Sequence, residues 1–138
     1  MKKTSSEAIL EKELETFDWD SVDLYPSFSE CDHIDLKHEK RVCFESTLHN
    51  QISMFLQQEL IIVSQDINDT LLLELQVSNQ GELQLLGLEM DSLTKAEIPN
   101  LKQLIISSLD SLPKISAAIK RSQPVTTKFE MPLIIEVY

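Results

Sequence analysis

Two kinds of apolar repeat alternate along the chain. In TLLLELQV, Leu71, Leu73, Leu75 and Val77 fall on one face, with Glu74 and Gln76 on the other. A period of two is the mark of a strand with one face buried. SNQGE comes next as turn chemistry, with Gly81 available for positive φ. LQLLGLEM returns as a second strand, so the pair reads as a hairpin. The apolar phase slips inside it: Leu83 and Leu85 are odd, while Leu86, Leu88 and Met90 are even. Gly87 lies at the slip and predicts a bulge. A third alternation, VTTKFEMPLIIEV, puts Val125, Thr127, Phe129, Met131, Leu133, Ile135 and Val137 on one face.

Other stretches repeat every three to four residues. LKHEKRVCFESTLHNQISMFLQQEL carries Phe44, Leu48, Ile52, Phe55 and Leu56 as one stripe, predicting a long helix with Asp32 or Asp35 as its cap. DSLTKAEIPNLKQLIISSLDSLP predicts a second core helix through Leu101, Leu104, Ile105, Leu109 and Leu112. Pro99 or Asn100 starts it, and Pro113 ends it because its ring clashes with the preceding turn. Near the start, Thr4 and Glu7 have capping-box spacing, and Leu10, Leu14 and Phe17 form a thin stripe, predicting a short acidic helix. SVDLYPSFSECDHID reads as an extended loop, because Pro26 biases Tyr25 away from helix.

This order predicts an α+β fold: a two-layer sandwich of a three-stranded antiparallel sheet with helices packed on one face. Counting the hairpin strands as 1 and 2 and the last as 3, the spatial order is 2-1-3. The last strand is then an edge, where Pro132 is tolerated because its missing N–H can face outward. Residues 1–23 read as an acidic lead-in and 24–138 as the domain.

Charge narrows the function. The 138 residues carry a net charge of −11, with ten acids against three lysines in residues 1–36. No basic stripe exists for a phosphate backbone, which argues against nucleic-acid partners. No apolar run approaches the roughly 20 residues of a membrane span, so no membrane insertion by this chain is expected. The lysines at the start lack the apolar segment of a signal peptide. The expectation is a soluble chain, either cytoplasmic or exported with a leader removed.

Candidate chemistry is sparse. Cys31, His33, His38, Cys43 and His49 cluster, but not at zinc-ligand spacing. A Cys–His nucleophile lacks an orienting group and an oxyanion site. The only glycines, Gly81 and Gly87, are both in the hairpin and leave no phosphate loop. We expect no metal, no cofactor and no enzyme. Cys31 and Cys43 are either joined, tying the loop to the helix, or both reduced with one of them buried.

The run LLLELQVSNQGELQLLGLEM, with LKQLIISSLDSLPKISAAIKRSQPVTTKFEMPLIIEV after it, resembles the carboxy-terminal domain of TonB energy transducers, closest to the TonB-like domains of Bacteroidota. Gly81, Pro124–Val125 and Pro132 fill the family's turn, strand-opening and mid-strand places. LYPSFSECD resembles its upstream YP segment, and Cys31 and Cys43–Phe44 match cysteines found in that branch. Ala117 and Ser122 stand where the family usually has Pro and Gly. The resemblance covers about residues 24–138.

It implies a periplasmic, non-catalytic module that receives an extended segment of an outer-membrane transporter by strand addition. The edge residues expected to bind are Val125, Thr126, Thr127, Lys128, Phe129, Glu130 and Met131. Thr126, Lys128 and Glu130 face away from the core-facing set, where charge discourages promiscuous pairing. A photo-crosslinker at Lys128 is expected to capture the segment, with labelling at His49 counting against this. The alternative is a homodimer pairing through the last strand.

Overall fold

The computed structural model describes residues 16–138, and the helix expected from Thr4 onward lies almost wholly outside them. Phe17, assigned above to that helix, lies instead in a strand, β1 (Thr16–Asp18). Single 3₁₀ turns occur at Trp19–Ser21 and Ser29–Cys31, on either side of β2 (Ser27–Phe28). The expected loop is therefore largely structured. α1 spans Lys37–Gln57. β3 (Ile67–Val77) and β4 (Leu83–Glu89) form the hairpin. α2 (Ser92–Glu97) and α3 (Leu101–Asp110) come next. β5 (Ile115–Ser116), β6 (Ala118–Lys120) and β7 (Gln123–Val137) close the chain.

The alternations hold residue by residue. Leu71, Leu73, Leu75 and Val77 are fully buried, as are Phe44, Leu48 and Ile52 of α1 and Leu101 and Ile105 of α3. The bulge falls where the phase slips: Glu74 pairs with Gly87 but Leu75 with Leu85, leaving Leu86 unpaired and exposed. Leu83, Leu85, Leu88 and Met90 therefore all pack on the core. Gly81 has φ +81°, and a Cβ there would collide with the Ile115 carbonyl oxygen. The turn accepts no other residue without moving β5.

The fold is a mixed α+β architecture with helices packed against a sheet, but that sheet is larger than expected. Five strands form it, in the order β1-β7-β3-β4 with β6 also on β7. The hairpin and last strand keep the expected neighbours, since β3 pairs antiparallel with both β4 and β7. The additions are β1, which pairs parallel with β7, and β6, which pairs antiparallel with it. A second, two-stranded sheet joins β2 to β5.

Three further corrections have local causes. The packed domain begins before residue 24, because Trp19 and Val22 are in the core. The residue at the α1 N-cap is Leu36 and makes no side-chain cap bond, so neither Asp32 nor Asp35 caps it. The second core helix starts after Asn100 as expected, but a separate short helix, α2, precedes it, and Ile98, only 2% exposed, plugs the joint. The first of these helices is held from outside. Asp69 of β3 accepts hydrogen bonds from the Asp91 N–H (2.9 Å) and the Thr94 hydroxyl (2.7 Å).

Candidate functional site

β7 is fifteen residues long, and its two edges are treated differently. One edge pairs with β3 without interruption from Thr127↔Val77 to Val137↔Ile67. That register runs through Leu72↔Pro132, which requires the proline nitrogen to face the other, outer edge. By the alternation of antiparallel pairing, Glu130, Ile134 and Glu136 then also point their N–H groups outward.

The first part of β7 is occupied. Gln123–Val125 pair with β6, and Thr126, Thr127 and Lys128 pair with Thr16, Phe17 and Asp18 of β1. Of the seven expected binding residues, Val125, Thr126, Thr127 and Lys128 thus already have strand partners. Sequence reasoning missed this because a three-residue strand carries no alternation to detect. Only Phe129, Glu130 and Met131 of the expected set lie past β1. From there to Val137, β7 has no second strand partner among the described residues.

The residues just after β1 fasten it to the edge. Trp19 is 6% exposed and lies 4.3 Å from Phe129, 4.8 Å from Tyr25 and 5.7 Å from Phe44, centroid to centroid. Arg41 lies over the Trp19 ring and bonds Asp20 at 2.9 Å and Glu45 at 2.8 Å. Lys37 and Lys120 donate to the Val22 and Ser21 carbonyls, both at 2.7 Å. The closure is imperfect: Trp19 Nε1 and Thr127 Oγ1 are buried with no hydrogen-bond partner among the described residues. Each such orphan costs about 1–3 kcal/mol.

The open part of β7 lies beside α1. One depression, about 370 Å³, is lined by Glu45, Ser46, His49 and Asn50 of α1 with Met131 and Pro132. A second, about 330 Å³, is lined by Ser53, Leu56 and Gln57 with Ile61 and Ile134–Val137. Both sit along the same strand and the same helix, forming a groove beside the open edge. His49 therefore belongs to the candidate site, so crosslinking there no longer argues against edge binding.

α1 is held in place at its start. Cys31 and Cys43 are joined by a disulfide, with Cα atoms 6.0 Å apart. Cys31 is fully buried, and Phe44 stacks on Phe28 of β2 at 5.1 Å. Of the two readings of the cysteines, the structure holds the joined form.

Among the described residues, no three His, Cys, Asp or Glu side chains group so as to hold a metal ion. Among the described residues, the carboxylates whose proton affinities move are Asp69, whose strand partner Ile135 lines the second depression, and Glu97. Burial works to raise the Asp69 pKa, but the bonds from Asp91 and Thr94 outweigh it and hold it low. Glu97 is held low by the Ser64 hydroxyl and the Gln65 and Ser64 N–H groups. No helix among the described residues is long and apolar enough to cross a membrane.

Compared with models of protein families, with curated proteins and with solved structures, the chain matches none.

Proposed function

We propose that this chain is a non-catalytic binding module that takes up an extended segment of another protein as an added strand on β7. The observation that carries this is the open outer edge from Phe129 to Val137, lying beside α1 in a groove. Outward N–H and C=O groups on such an edge are unpaired and form a template for another strand. Pro132, lacking an N–H, and the exposed Glu130 and Glu136 guard it against indiscriminate pairing.

The resemblance to TonB carboxy-terminal domains supports the same mode and suggests an outer-membrane transporter segment as partner. The Cys31–Cys43 bridge suits an oxidising compartment, in keeping with the periplasm that this resemblance implies. The edge is moved toward the carboxy terminus relative to the sequence expectation, from Val125–Met131 to Phe129–Val137.

Incorporating a photo-crosslinker at Ile134, which is 61% exposed, tests the proposal. Capture of one contiguous partner stretch, abolished when Glu136→Pro removes an outward N–H, supports strand addition. Capture only of a second copy of this chain turns the reading into edge-to-edge homodimerisation. Capture that is indifferent to the proline sinks both.

A further inference from the structure

The two depressions beside the open edge differ in chemistry, and their spacing matches an extended chain. The first is polar: its α1 wall is Glu45, Ser46, His49 and Asn50. The second is aliphatic at its floor, where Leu56, Ile61, Ile135 and Val137 meet. From the middle of the first set to that of the second, α1 advances about 11 Å at 1.5 Å per residue. β7 advances about 13 Å over the same interval at roughly 3.3 Å per residue. An added strand covers that distance in four residues, and residues four apart point to the same face.

Charge assigns the polar end. Among the described residues Glu45 is the one charged group lining the first depression; Arg41 bonds it at 2.8 Å but also bonds Asp20 at 2.9 Å, so one cation is shared by two carboxylates and the cluster keeps a net negative charge. Glu130 flanks Met131 on the open sheet face, and the chain as a whole carries −11. We infer that the segment read by this groove carries a basic side chain and an aliphatic side chain four residues apart, both facing α1. This inference rests on the strand-addition reading and names the chemistry of its ligand. The basic group meets Glu45, and the aliphatic group fills the space between Leu56, Ile61 and Val137.

The test uses the full, oxidised chain and blocked nine-residue threonine-rich peptides, monitored by the amide chemical shifts of β7. One peptide carries Lys and Leu four apart, and a second carries the same pair in reverse order. Two controls replace Lys with Glu or Leu with Thr. The expected result is that one of the paired peptides shifts Glu130–Val137 and binds at least about tenfold tighter than either control, about 1.4 kcal/mol. On the protein side, Ile61→Ser should erase the preference for Leu while leaving the preference for Lys. If all peptides shift these amides with equal affinity, strand addition stands and the inferred motif is wrong. If none shifts them at any concentration, the strand-addition reading itself fails.

Discussion

The two halves of β7 share one alternation and meet different fates. In both, odd residues face the helices and even residues face out. Yet the outer edge of Gln123–Lys128 belongs to a packed region, while that of Phe129–Val137 has no strand partner among the described residues. The difference lies outside the strand. Trp19 seats against Phe129 and carries β1 onto the edge just before it. Beyond Phe129 the neighbour is α1, whose facing strip of Ser46, His49, Asn50, Ser53 and Gln57 is polar and leaves a groove. Whether a strand edge is open is thus decided by what the rest of the chain brings to it.

The largest effect should come from the aromatic anchor. Trp19→Ala is expected to cost about 3–5 kcal/mol in urea unfolding, the usual loss for a buried large aromatic. If the anchor closes the first half, the same variant should lose protection of the Lys128 amide while Met131 and Leu133, paired only with β3, keep theirs. Equal loss at all three would break the comparison.

Opening the Cys31–Cys43 bridge comes next. Its closed loop is about 13 residues, for which chain entropy gives roughly 3 kcal/mol. Cys31→Ser with Cys43→Ser should lower stability by about that amount and loosen the start of α1. Since Cys43 is on α1 and α1 walls the groove, peptide affinity should fall with it. Unchanged affinity would mean that β7 alone forms the site.

Asp69 sits opposite Ile135, beneath the open half. Asp69→Ala should cost about 1–3 kcal/mol, because it strips the external cap from α2. Its folded pKa lies below the unfolded one, so its contribution is complete above the ordinary carboxylate range. That contribution disappears as pH falls through the depressed folded value. Acid unfolding of Asp69→Asn should be flatter than wild type over that interval. Parallel curves would show that Asp69 carries none of the acid sensitivity.

The smallest effect lies in the turn that feeds the closed half. Arg121 and Ser122 have φ of 52° and 64°, a region that favours glycine. Ser122→Gly should stabilise by about 0.5 kcal/mol, the released strain being partly offset by the freer unfolded chain. A destabilised variant would show that this turn is held by something other than its backbone, such as the Asp23 bond to the Arg121 N–H (2.8 Å).

Much of the scaffold was legible because long elements repeat themselves. The eleven residues of β3 and the stripe of α1 declare their faces, and Gly87 betrays the bulge through a phase slip. The order of β4, β3 and β7 came from one helix joining hairpin to last strand. What escaped was short or remote. β1 and β2 have three and two residues, too few for a period. The cap on α2 comes from Asp69, 22 residues before Asp91, so no local spacing announces it. The groove could not be read at all, since it depends on α1 lying along β7, and periodicity marks faces rather than neighbours. For that reason the expected site, Val125–Met131, overlapped the open stretch of the edge only at Phe129–Met131.

Residue-resolved amide hydrogen exchange on the oxidised full chain tests the open edge most directly. Slow exchange is expected at Lys128, whose outward N–H meets β1, and at Met131, Leu133 and Ile135, whose N–H groups meet β3. Exchange near the unprotected rate is expected at Glu130, Ile134 and Glu136, slowing when a strand is bound. Protection at those three equal to that of their odd-numbered neighbours, in the unbound chain, would show the edge already covered and contradict the proposed mode of binding.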